Sequence, residues 1–347
     1  MNPASLIPVA EPLPIPWGWF DILLVLTFAI HILFMNALVG SVAIGLFRSL
    51  RGNPGLAKDV GDKAPPLLAL TINFGVAPLL FLQVLYGHFD YVSSVLMGGW
   101  WLAVIPVLMV AYYGYYGVKF GWESMSSGRR HLILTVSLGC LVYTGFMLTN
   151  NMTLMLLPEA WTKYFSAGGG FLNLADPTLA PRFLHFMVGA LAVGGLFIAL
   201  LGSFREHEEY IGIGLLWFTR ATMVNLLVGA WFLISLPRSL LLMFMGNSLP
   251  ATYTLLASLI GAGMALRAGL ARNVKQTTVW AVLTVLFMSL TRNWVRTLYL
   301  APWFKADSTP VTYQYSSFYL FLGFLVVGMA LIAYMIKLYM RAREGRA

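Results

Sequence analysis

Nine long apolar runs, each at or above the roughly 20 residues needed to cross a bilayer, constrain this chain more than any other feature. They lie near 18–48, 67–96, 100–121, 131–152, 180–203, 210–237, 250–271, 276–300 and 313–340. Backbone N–H and C=O groups find no water in hydrocarbon, so such runs cross as helices that satisfy their own hydrogen bonds. The chain is 59% hydrophobic and 10% charged over 347 residues, far from the roughly 25% charged of soluble domains. The expectation is an all-α integral membrane protein of about nine transmembrane helices. Residues 1–17 read as an extended leader with five prolines, 18–340 as a single polytopic membrane domain, and 341–347 as a basic tail. No repeat of solenoid period and no low-complexity tract interrupts this plan.

The net charge of +9 is explained by its location. Arg48, Arg51, Lys58, Lys63, Lys119, Arg129, Arg130, Arg205, Arg267, Arg272, Lys275, Lys337, Arg341, Arg343 and Arg346 fall at one set of helix ends. Lys163, Arg182, Arg238, Arg292, Arg296 and Lys305 fall at the other. The positive-inside rule then puts the N-terminus outside and the C-terminus in the cytoplasm, in the inner membrane of a bacterium or archaeon. The basic excess marks topology rather than a nucleic-acid partner. A single cysteine, Cys140, excludes a disulfide framework. The longest outer loop, Met152 to Ala180, carries a glycine run at 168–170, but no Lys-Ser or Lys-Thr follows it and nucleotide binding is not expected. Trp161, Tyr164, Trp303 and Tyr313 are expected on an aromatic outer surface, and Arg220, deep in the sixth run, is expected to need a partner inside the bundle.

Histidines carry the chemistry. His131 and His207 sit in polar surroundings at the inner ends and read as solvated. His31 lies inside the first run, His88 at the outer end of the second, and His185 about one turn inside the outer end of the fifth. An ionisable residue inside the membrane is a functional candidate by default, and neutral imidazole is the commonest protein ligand of haem iron. From run positions, His185 is expected nearer the outer surface than His31. Arg292 and Arg296 lie four apart on the eighth run and so share a face, and Arg182 precedes His185 by one turn. Guanidinium groups so placed suit carboxylates such as haem propionates.

The segments HILFMNALVG from His31, GVAPLLFLQVLYG from Gly75 to Gly87, RFLHFMVGALAVGGLF from Arg182 to Phe197, and TRNWVRTLYLAPWF at the end of the eighth run resemble the large subunit of the cytochrome bd quinol oxidases. The resemblance implies a bundle of that kind, with His31 as axial ligand of a high-spin haem b and His185 of a low-spin one. Gln83 stands where the family has a glutamate. The family's second ligand to the low-spin haem, an early methionine of helix 7, has no counterpart, which leaves Met243, Met245, Met147, Met152 and His88 as candidates. The family's quinol loop is missing too, because only Pro237 to Leu249 joins runs six and seven. The third-haem glutamate and the acids of helix 3 are likewise absent.

Reduction of dioxygen consumes protons, and no run is expected to hold an interior carboxylate, Asp21 lying near the outer end of the first. The expected function is therefore a b-haem electron-transfer subunit, with one or two haems, linking quinone to an outer partner such as a c-type cytochrome or iron–sulfur protein. A divergent quinol oxidase and a haem-free docking subunit are the alternatives. An outer-side quinol site near the 152–180 segment is expected with the first.

Overall fold

The computed structural model describes residues 2–167 and 170–344. Gly168, Gly169 and the end of the tail with Arg346 lie outside the described residues. Among the described residues, nine helices are long and apolar enough to cross a membrane: α1 (Trp17–Leu50), α2 (Gly55–Met97), α3 (Gly99–Gly121), α4 (Ser127–Leu156), α5 (Leu179–Arg205), α6 (Glu208–Ser235), α7 (Leu249–Leu270), α8 (Val274–Leu300) and α9 (Ser316–Glu344). The protein is a multi-pass membrane protein. The end of the bundle at which α1 begins is termed proximal, the other distal.

Local chemistry sets the boundaries. Ser126 caps α4 by accepting from the Arg129 N–H, and the Asn273 side chain caps α8 by accepting from the Gln276 N–H at 3.0 Å. Glu208 and Glu209 occupy the first turn of α6, where the helix dipole favours negative charge. α2 begins well before the expected 67 and carries Pro65 and Pro66 within it. Its first turns are polar, with Lys58 paired to Glu123 and Asp59 to Arg205 at 2.8 Å, so they project past the apolar span. The hydrogen bond from Lys58 holds the Glu123 carboxyl, in the loop after α3, below the usual carboxylate range. Arg48–Glu209 and Arg272–Glu208 complete a distal belt of ion pairs. His131, expected to be solvated, shares a 2.8 Å hydrogen bond with Ser49 in this belt, and His207 stacks on Tyr210.

The most extensive helix contacts are α1 with α2 and α5 with α6, followed by α7 with α8, α1 with α5, and α3 with α4. α1 and α5 cross backbone to backbone: a methyl on Gly40 would lie 1.8 Å from the Ala190 carbonyl oxygen, and one on Gly194 would lie 2.5 Å from the Gly40 Cα. Small residues permit such approach where no hydrophobic effect drives helices together. His31 and His185 each precede their glycine at this crossing by nine residues, about 13.5 Å at 1.5 Å per residue. The two histidines thus stand at about the same height, and the expected difference in depth disappears; α1 merely starts earlier than α5.

At the proximal end the leader is extended after a turn at Pro3–Leu6 and is tied to the segment before α9. Leu13 donates to the Pro310 carbonyl, and the Thr312 and Gln314 N–H groups donate to Leu13 and Pro14. Ile15 is fully buried as a result. Trp161, expected on an aromatic surface, is also fully buried, its indole N–H donating to the Leu154 carbonyl at 2.8 Å and its ring packed near Phe89. Tyr313 is exposed as expected. Arg220 points out of the bundle rather than into it. α9 packs weakly, with Phe318 near Trp19 and Phe321 near Phe81, and none of its spanning window is buried.

Candidate functional site

A cavity of about 320 Å³ opens among α1, α5, α6, α7 and α8. Helical periodicity builds its walls. Arg182, His185, Phe186 and Gly189 recur at the spacing of one α5 face; Phe28, Ile32 and Asn36 do so on α1, and Met288, Arg292 and Val295 on α8. α6 contributes Asn225, Gly229 and Phe232.

Three candidate residues therefore meet in one place: His185, Arg182 and Arg292. The His185 ring rests on Gly229, where a methyl would come within 3.2 Å of Cε1, and its buried Nδ1 has no hydrogen-bond partner. Arg182 is 6% exposed; its Nε and Nη2 are buried and unpartnered, and its guanidinium lies 4.8 Å from the centre of the Phe232 ring. Arg292 lies 4.2 Å over Phe28. Neither arginine has a carboxylate at ion-pair distance among the described residues. Cation–π contacts contribute about 0.5–2 kcal/mol each, whereas a desolvated charge costs several. An amphipathic anion with a flat apolar body would relieve both cations.

His31 faces the α1–α2 seam instead of the cavity. Its Nδ1 lies 2.9 Å from the Thr71 carbonyl oxygen, so Nδ1–H is the donor and Nε2 keeps its lone pair. The ring sits on Gly75, where a methyl would come within 2.8 Å of Cε1. This tautomer, fixed from behind by a backbone carbonyl, is the one that presents Nε2 to a metal.

The remaining candidates lie apart. His88 follows the break in α2 at Tyr86 and is wedged between Phe89 and Phe304, with ring centres 4.4 and 4.5 Å away and Nε2 buried without a partner. Gln83, exposed, extends toward Asp90. Arg296 is 2% exposed and already engaged: it hydrogen-bonds Asn293, stands 3.8 Å from Asp21, and covers the Tyr86 ring. Asn293 itself donates to both Asp21 carboxylate oxygens, at 3.0 and 2.8 Å. Arg292 and Arg296, four apart, thus divide between the cavity and this structural cluster. Met243, Met245, Met147 and Met152 do not line the cavity; the methionine that does is Met288.

Sequence reasoning missed several residues. Met288 is one turn before Arg292, and that spacing was a usable signal. Asn36 on α1 and Asn225 on α6, polar residues inside apolar runs, line the same cavity. Asp90 corrects the expectation that no run holds an interior carboxylate: it is 2% exposed within α2 and accepts from the Asn151 amide at 3.0 Å. Its neighbour Asn150 accepts from the backbone N–H of Asn173, which joins this polar patch to the segment between α4 and α5.

Comparison of the chain with protein-family models finds no match, and comparison with curated proteins finds none either.

Proposed function

We propose that this chain is a membrane b-haem electron-transfer subunit of cytochrome bd-like fold that takes electrons from quinol and passes them to an extracytoplasmic redox protein, a c-type cytochrome or an iron–sulfur protein. The observation that carries the reading is the convergence of His185, Arg182 and Arg292 on one cavity. Its volume falls in the usual range for ligand sites, roughly 300–1,000 Å³. A haem b fits the donor set. His185 would hold the iron through a ring nitrogen, and Arg182 and Arg292 the propionates. Gly229 gives the His185 ring the space it occupies, and His31, with its free Nε2, would hold a second haem. When bound, the haem supplies one-electron redox chemistry, and the protein supplies orientation and electrostatics.

The positive-inside distribution supports an orientation with the proximal end outside, and the proposed setting is an inner bacterial or archaeal membrane. Oxidation of a quinol to quinone releases two electrons and two protons. Asp90 stands in the proximal part of α2 and is placed to take up a proton there at a carboxylate oxygen, with Asn151 holding it in position. A carboxylate near this end suits protons released outward by quinol oxidation, a half-reaction common to the electron-transfer and oxidase readings.

Reduced-minus-oxidised spectra and pyridine haemochrome of the purified protein test the reading. One or two b haems are expected, with one lost in His185→Ala, together with quinol-dependent reduction of an added c-type cytochrome. Absence of b-type bands would leave the haem-free docking subunit. Rapid quinol-dependent oxygen uptake by the chain alone would restore the oxidase.

A further inference from the structure

The pairs His31 and His185, Gly40 and Gly194, and Gly75 and Gly229 share one sequence separation, 154 residues (185 − 31, 194 − 40, 229 − 75). The register holds without a gap from inside α1, through the loop, to the middle of α2. It also aligns Val39 with Val193, Ile44 with Ile198, Ser49 with Ser203 and Arg51 with Arg205.

The same register organises the contacts. His31 directs Nδ1 to the Thr71 carbonyl; the residue 154 beyond Thr71 is Asn225, whose backbone faces His185. Each ring rests on the glycine four residues after that carbonyl. Gly40 touches Gly194, its own counterpart, as a two-fold axis through the α1–α5 crossing requires. Four helices make up each unit, so the two copies cross the membrane in the same sense, and the strongest pairings of the first, α1–α2 and α3–α4, return as α5–α6 and α7–α8.

We propose that α1–α4 and α5–α8 are two copies of one histidine-holding unit, in which Thr71 and Gly75 position His31, and Asn225 and Gly229 position His185, for a metal-bearing ligand at each. At His31 the carbonyl fixes the tautomer, and at both histidines the glycine sets how far the ring sinks toward the neighbouring helix. The copies have diverged around this device. Phe28 stands where the second unit has Arg182, and the stacked Phe34 and Phe74, with centres 5.2 Å apart, stand where the second has Val188 and Val228. The second copy is thereby cationic beside its histidine, and the first is aromatic.

The inference rests on the haem reading for the ligand but not for the device, and the experiment separates the two. In the purified, detergent-solubilised full chain, Gly75→Ala and Gly229→Ala are each combined with His31→Ala and His185→Ala, and melting temperatures are compared as double-mutant cycles. Gly75→Ala is expected to lower the melting temperature and to be rescued by His31→Ala, because removing the ring removes the clash; Gly229→Ala is rescued by His185→Ala. Crossed pairs are expected to add. Gly87→Ala and Gly212→Ala, with no tight neighbour, are controls. On the protein loaded with haemin, each glycine variant is expected to weaken binding about 10- to 100-fold at its own histidine alone. Absence of coupling within a pair, or equal coupling in the crossed pairs, overturns the proposal. A protein that binds no haemin overturns the haem reading while the melting cycles still decide on the device.

Discussion

Gly40 and Ala190 meet without any side chain between them, the glycine Cα facing the alanine carbonyl at the α1–α5 crossing. Backbone lies on both sides, so neither helix can yield locally. Gly40→Ala is expected to push the helices apart and cost at least the 1–3 kcal/mol, roughly, of an overpacked core. Gly18→Ala, in open space on the same helix, should be neutral. Thermal unfolding followed by size-exclusion chromatography reads both.

Removing one cavity cation should act on redox potential as well as affinity. Arg182→Gln and Arg292→Gln each delete a positive charge beside the proposed haem at His185, which disfavours the reduced form. The midpoint potential of that haem is expected to fall, with binding weakened by about 1.5–3 kcal/mol for a lost charge-assisted hydrogen bond. Potentiometric titration of the b-type band checks the sign, and a rise in potential would count against propionates at these arginines.

Asp90→Asn keeps the size of the side chain but removes the carboxylate that accepts from Asn151. If Asp90 takes a proton during quinol oxidation, turnover with a quinol should fall by about 10²-fold or more, while the haem spectrum and melting temperature change little. Stopped-flow reduction of the haem by quinol is the measurement. An unchanged rate would confine Asp90 to a structural role.

Trp161→Ala is expected to destabilise the protein by roughly 3–5 kcal/mol, as for other fully buried large aromatics, with a further loss because the Leu154 carbonyl loses its indole donor. Trp161→Phe should recover the packing but not the hydrogen bond. A docking role would instead leave stability intact and weaken partner binding.

The number of spanning helices was legible because each apolar run is long enough to decide its own structure. Their faces were harder to read. Arg182, Arg292 and His185 were recognisable as polar residues inside apolar runs, but only packing could show that Arg292 enters the cavity while Arg296, one turn later, is held by Asp21 and Asn293. Trp161 was misplaced because an aromatic residue in a loop gives the same signal whether the loop lies on the surface or folds under it. Asp90 was overlooked because it lies near a helix end, where acids are ordinarily solvated; its burial comes from Asn151 on α4, sixty-one residues away. The equal height of the two histidines depended on where α1 and α5 touch, which their starting points do not reveal.

That equal height bears on how membrane voltage acts on the protein. A charge carried across the full bilayer exchanges about 2.3 kcal/mol with each 100 mV of potential, but a charge passed between the ligands proposed at His31 and His185 would move along the membrane plane and do almost no electrical work. The distribution of electrons between the two sites should therefore be indifferent to an imposed potential in proteoliposomes. Only exchange with a quinone or partner at another depth would feel the field.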